Sequence, residues 1–214
     1  NTKRLLGYSS VAHMGYLILA IAIGIQGFSS AIFYIIIYTV ATCGILGTLS
    51  VLSKSNNELC ELKSLNGLHH KQPIIAFYLM CVIFSMASIP PLAGFIAKLN
   101  VLYQLYLTNF IVVGIIAMLI AVIGIFYYIR VVRLLYFDNK IEASQSKSLM
   151  SAKTKDVFLL AIPVIFIVFN GITPSVMLNV SEKMIVKKSV VMHPSPTKKN
   201  RVYSDIEDIF KFSF

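Results

Sequence analysis

One formal charge, Lys98, falls inside the apolar territory of this 214-residue chain, about ten residues before the polar pair Thr108-Asn109. At about 1.5 Å per helical residue it would lie about 15 Å below the nearer surface of a hydrocarbon layer about 30 Å thick. An ammonium held there costs at least a few kcal/mol while it stays charged, so its natural chemistry is the gain and loss of a proton. Just before it stands Ser88-Ile89-Pro90-Pro91-Leu92-Ala93-Gly94. Two residues without a backbone N–H and one without a side chain interrupt the apolar run there, freeing carbonyls. A broken helix beside an ionisable residue suits an ion path; a lysine paired for packing is the plainer alternative.

His13 is the second candidate. Ser9 lies four residues before it and Tyr16 three after, so on a helix the three share one polar stripe, with Ser10 alongside. Imidazole both donates and accepts and titrates near neutrality, which suits a relay; an interhelical hydrogen bond that merely glues the bundle explains the same spacing. Lys3-Arg4 read as interfacial anchors, with Lys3 also placed for a proton entrance, and Tyr34, Tyr38 and Thr39 suit hydrogen bonds across helices. His69-His70 read as solvated loop residues, and Cys43, Cys60 and Cys81 as small apolar ones, because neither set has metal-ligand spacing. Paired intramembrane carboxylates, a Gly-rich phosphate loop and a nucleophilic triad are all missing from the pattern, so no catalytic residue and no metal is expected.

The elements that must hold these residues follow from the placement of charge. Hydrophobic residues make up 57% and charged ones 13%, with a mean hydropathy of +0.78. An all-α integral membrane protein is expected, which excludes a disordered chain, a disulfide scaffold and a typical nucleic-acid binder despite the net charge of +10. No Asp, Glu, Lys or Arg occurs in 5–53, 72–97, 99–129 or 157–181. At about 20 residues per crossing, these stretches predict about five transmembrane helices near 7–26, 30–52, 73–107, 110–137 and 157–180. The third is broken at 90–94, because about 35 residues in one straight helix would run about 52 Å; a re-entrant hairpin is the alternative. Gln26-Gly27-Phe28-Ser29-Ser30 supplies the first turn, and Ala41, Thr42, Gly44 and Gly47 suit close helix packing. Tyr127, Tyr128, Arg130, Arg133 and Tyr136 read as the interfacial end of the fourth helix.

Residues 1–181 thus form a transmembrane domain and 182–214 a polar, basic tail. With five spans, Lys3 and Arg4, three lysines in 53–72 and six basic residues in 129–156 share one side, which should face the cytoplasm or matrix. The seven basic residues of the tail weigh the other way. The chain begins at Asn1 without a secretory pattern, and a missing or separately encoded upstream segment is expected.

Four ordered motifs now carry a resemblance. Lys3-Arg4-Leu5-Leu6-Gly7-Tyr8-Ser9-Ser10-Val11-Ala12-His13-Met14-Gly15-Tyr16 resembles a K-R-x-L-A-Y-S-S-I-x-H-x-G-Y signature. Leu65-Asn66-Gly67-Leu68 with Pro73, Ile89-Pro90-Pro91-Leu92-Ala93-Gly94-Phe95-Ile96-Ala97-Lys98, and Tyr127-Tyr128-Ile129-Arg130-Val131 follow in order. Together they are similar to the antiporter-like membrane subunits of respiratory complex I. The histidine of the first motif and the lysine of the third favour the branch called subunit 2, or N in bacteria.

The resemblance implies that the five spans correspond to helices 10–14 of a fourteen-helix antiporter-like fold. Lys98 would be the proton-carrying lysine of an outer half-channel, and His13 a link in a central hydrophilic axis. The chain would be a membrane-arm subunit of proton-pumping NADH:ubiquinone oxidoreductase, with no redox step and no cofactor of its own. NADH, FMN, iron–sulfur clusters and ubiquinone would belong elsewhere in the complex. Expected partners are other membrane-arm subunits and membrane lipids, not nucleic acid. The family's earlier inverted repeat has no counterpart here, so a separate chain carrying that N-terminal half is expected. Richness in Ile, Phe, Tyr, Asn and Lys without Trp suggests an AT-rich organellar gene and a mitochondrial inner membrane, with a bacterial plasma membrane as the alternative. A structural scaffold without an active proton path, or a subunit of a related multi-subunit cation/proton antiporter, is the alternative function.

Overall fold

The computed structural model describes residues 2–53, 65–137 and 154–181. The expected basic tail at 182–214 lies outside the described residues, as do 54–64 and 138–153. Every regular element among the described residues is helical, as apolar segments must be where backbone groups have no water to pair with. In order they are α1 (Thr2–Ala22), α2 (Ile25–Ser53), α3 (Leu68–Lys71), α4 (Pro73–Met86), α5 (Ala93–Leu107), α6 (Ile111–Tyr136) and α7 (Thr154–Ile172). A last helix, α8, spans Pro174–Ser181.

Two of these segments, Gly27–Leu52 and Ile111–Tyr136, are long and apolar enough to cross a membrane alone. A third results if α7 and α8 count as one bent span. Leu6–Ala22 and Pro73–Met86 are apolar but shorter. The single helix expected over 157–180 is instead bent by 90° at its break. Pro174 is the cause: it has no N–H to donate, and it pushes Thr173 away from helical geometry. Pro163 also interrupts the ladder, yet α7 continues through it. The first turn differs as well. It falls at Ile23-Gly24, not at Gln26–Ser30, because Gly24 adopts φ 88, a left-handed conformation that glycine takes without penalty.

α2 runs through the middle of the bundle and packs on α1, α4, α5 and α7. Its buried stripe, Phe33, Ile37, Ala41 and Ile45, repeats every four residues, as does Ala93, Ala97, Val101 and Leu105 of α5. Small residues let the backbones approach: a methyl on Gly44 would lie 3.1 Å from Val82 and 3.2 Å from Pro163. α6 is different, with an apolar surface that is largely exposed from Ile111 to Ile129.

The break separates α4 from α5 and is closed by short-range pairing. Ala87 N–H donates to Ile83, Ser88 N–H to Ser85, Ile89 N–H to Phe84 and Leu92 N–H to Ile89. Ser88 has φ 60, and the Pro90-Pro91 peptide is cis. Gly94 sits where the halves nearly touch: a side chain there would run into the backbone carbonyl of Ser85. Its N–H donates to Ser85 Oγ at 3.2 Å, so the last turn of α4 caps the first turn of α5. Gly171 of α7 packs against Pro91 and Ala93 in the same way, so the break is held by a third helix.

Candidate functional site

The polar stripe of α1 faces inward. Ser9, His13 and Tyr16 are 9%, 7% and 5% exposed, while Tyr8, Val11 and Ile18 on the other face are 78%, 70% and 66% exposed. That separation follows from the i, i+4, i+7 spacing of the three polar residues along a helix with 3.6 residues per turn.

Around His13 the bundle supplies a partner for each ring nitrogen. Nδ1 lies 2.7 Å from the hydroxyl of Tyr34 on α2. Nε2 lies 3.3 Å from the hydroxyl of Tyr128 on α6, which is itself hydrogen-bonded to Ser9 Oγ. The ring of Tyr38, one turn further along α2, packs against the imidazole with centroids 4.8 Å apart. Tyr16 stacks on Tyr34 at 6.0 Å and donates its hydroxyl to the carbonyl of Ala117 on α6. Six buried or half-buried polar side chains from three helices therefore meet within an otherwise apolar core.

Lys98 approaches this cluster from α5. Its ammonium lies 5.2 Å from the centroid of the Tyr16 ring, a cation–π contact worth about 0.5 to 2 kcal/mol depending on how dry it is. Among the described residues no carboxylate and no hydrogen-bonding group pairs with it. A cavity of about 10 Å³ lies between the cluster and the break, bordered by His13, Tyr34, Tyr38, Ser85, Gly94 and Ala97. It has room for about one water molecule. Ser88 Oγ, also at the break, is buried without a hydrogen-bond partner in the described structure.

The structure thus brings together His13, Ser9, Tyr16, Lys98 and the break at Pro90, Pro91 and Gly94. Ser10 stands apart, with its hydroxyl donated back to Gly7 within α1. Lys3 lies in the first turn of α1, but its side chain is outside what the structure describes. Tyr128 is the residue that sequence reasoning misplaced: expected at the interface with Tyr127, it is 7% exposed and turned inward, whereas Tyr127 is 63% exposed. Adjacent positions on a helix point about 100° apart, so the Tyr-Tyr pair shows that the two differ in direction but not which of them faces inward. His69 is also less solvated than expected, being half-buried with its ring stacked on Tyr136 at 4.7 Å; His70 is exposed. Among the described residues no group of His, Cys, Asp and Glu could hold a metal ion.

Comparison with known proteins gives a consistent picture. Residues 1–124 match the transmembrane family described as NADH:quinone oxidoreductase/Mrp antiporter. NADH-quinone oxidoreductase subunit N of Nitrosomonas europaea is 36% identical over 182 residues, covering 85% of this chain and 37% of its own length. Subunit N of Coxiella burnetii is 40% identical over 140 residues, 65% of this chain and 29% of its own. This chain therefore spans only 37% and 29% of the length of these two curated relatives. In fold it is similar to a chain of respiratory complex I from Thermus thermophilus, with TM-score 0.70 and 24% identity over 83% of this chain and 39% of that one. A chain of the Mrp complex from Dietzia sp. gives TM-score 0.65 and 16% identity over 81% and 40%.

Proposed function

We propose a proton-carrying role for this chain, which belongs to the NADH:quinone oxidoreductase/Mrp antiporter transmembrane family. In this reading it is part of a membrane-arm, antiporter-like subunit of a proton-pumping NADH:quinone oxidoreductase and performs no redox step. The observation that carries it is Lys98, a cation with no paired carboxylate among the described residues, beside a broken helix and against a buried His–Tyr cluster. The Tyr16 ring face attracts the ammonium and not the neutral amine, so it favours the proton-loaded state. Hydration of the break, or approach of another charge, then decides whether the proton stays or leaves.

About five spans, with α4 and α5 as the two halves of one broken span, complete the reading. The remaining length of the relatives supports a partner segment or chain that carries the other part of the channel, next to other membrane-arm subunits and lipids. NADH, flavin, iron–sulfur clusters and quinone act elsewhere in the complex. The curated relatives are bacterial, so a bacterial plasma membrane fits the chain as well as a mitochondrial inner membrane does.

The test is Lys98→Ala in the assembled complex, reading protons moved per NADH oxidised in sealed vesicles. Loss of most pumping with normal assembly is expected; retained pumping would sink the role. Because the matching family also covers Mrp antiporters, a cation/proton antiporter is the second reading. Sodium-dependent proton exchange by vesicles without NADH would favour it.

A further inference from the structure

His13 is held between two phenols, and that fixes what its ring can do. A neutral imidazole carries one proton, so one ring nitrogen donates while the other accepts. With Nδ1 protonated, Nδ1–H donates to the Tyr34 oxygen, Tyr128 O–H donates to Nε2, and Ser9 O–H donates to the Tyr128 oxygen. With Nε2 protonated, every bond reverses: Nε2–H donates to Tyr128, Tyr128 to Ser9, and Tyr34 to Nδ1. The chain of hydrogen bonds from Ser9 through Tyr128 and His13 to Tyr34 thus has two directional orders of the same atoms.

We propose that Ser9, Tyr128, His13 and Tyr34 form a proton relay in which Tyr128 and Tyr34 are working members, not supports for the histidine. The inference rests on the reading of the chain as a proton-carrying subunit. A proton arriving at the Ser9 oxygen releases the Ser9 hydroxyl proton to Tyr128, the Tyr128 proton to Nε2, the Nδ1 proton to Tyr34 and the Tyr34 proton outward. Each O–H or N–H bond broken is matched by one formed, no net charge stays behind, and the first order has become the second. Passage in the opposite direction restores it. The outward end borders the cavity of about 10 Å³ that reaches Ser85 and Gly94 at the break and Ala97 beside Lys98. Tyr16 is not in the line, because its hydroxyl is committed to the carbonyl of Ala117. Three helices contribute one continuous path, from α1 through α6 and back to α1, then to α2, ending at Tyr34 on the wall of the cavity.

The test replaces single hydroxyls in the assembled complex and reads the rate of NADH-driven proton movement into sealed vesicles, normalised to the amount of complex. Tyr128→Phe and Tyr34→Phe each keep the ring, and each is expected to slow proton movement about a hundredfold or more, the range that a positioned proton-transfer group supplies. Ser9→Ala should act in the same direction and Ser9→Thr should restore movement. Tyr127→Phe, at the exposed neighbour of Tyr128, should change nothing. Normal pumping in Tyr128→Phe overturns the relay. So does a loss that merely tracks a fall in assembled complex, which is what a supporting role would give. Lys98→Ala keeps the two failures apart: if it stops pumping while the tyrosine variants do not, only the relay falls. If it too leaves pumping intact, the proton-carrying reading falls with it.

Discussion

Around His13 both ring nitrogens have hydrogen-bond partners, whereas Lys98, just past the neighbouring break, has its ammonium over the face of Tyr16 and no paired carboxylate among the described residues. The first region is a satisfied polar network drawn from α1, α2 and α6. The second is a charge carried on one of two half-helices, one turn past the break between them. The contrast separates two ways in which a protein handles polarity away from water. A network can pass protons along itself without changing its charge, so it is cheap to keep buried. A lone ammonium changes charge when it acts, so its environment must change with it. Under the proposed reading, the paired region would conduct and the unpaired one would be switched.

The largest expected effect breaks the frame that holds the second region. In Gly94→Ala the new methyl meets the Ser85 carbonyl, a backbone atom that cannot turn aside. Gly171 crowds the same segment from α7, so neither half-helix can retreat. A loss of at least about 3 kcal/mol is expected, enough to remove most assembled complex, as native gels of membranes would measure. Normal amounts of complex would mean that the half-helices separate readily, and that the break is looser than its packing implies.

A smaller effect tests the comparison itself. His13→Leu leaves the Tyr34 hydroxyl buried without its partner and Tyr128 with Ser9 alone, at a cost of about 1 to 3 kcal/mol. Lys98→Met removes a lone charge and keeps an unbranched chain, so stability should be unchanged or slightly raised. Thermal denaturation of the purified complex should therefore rank His13→Leu below the parent and Lys98→Met level with it or above. The reverse order would show that Lys98 is firmly paired in the whole assembly and that the contrast is false.

How far the sequence disclosed these regions depends on how local the cause is. Ser9, His13 and Tyr16 could be grouped because one helix sets their spacing, and the break could be placed because Pro90, Pro91 and Gly94 act within a turn of themselves. Tyr128 could not be placed, since its contacts to Ser9 and His13 span 119 and 115 residues. A tyrosine near arginines at the end of an apolar run carries the same local signal whether it faces lipid headgroups or the core. The prolines of the last segment teach the same lesson. Pro163 stays within α7, facing the small residue Gly44, whereas the chain turns 90° at Pro174. Periodicity does not distinguish the two; packing does.

The smallest effect sharpens the boundary between the regions, because Tyr16 belongs to both. Its hydroxyl is tied to Ala117 of α6, while its ring lies under the Lys98 ammonium. Tyr16→Phe removes the hydrogen bond and keeps the ring; Tyr16→Leu removes both. Interhelical hydrogen bonds in membranes average about 0.6 kcal/mol and reach about 1.7, so Phe should lower thermal stability by no more than that. Leu adds the loss of the ring face, worth about 0.5 to 2 kcal/mol to the charged lysine. That difference acts only while the proton is on Lys98, so it should appear in proton movement per assembled complex, with Leu slower than Phe. Equal rates would mean that the ring contributes packing alone, and that the ammonium draws its stabilisation from groups outside these helices.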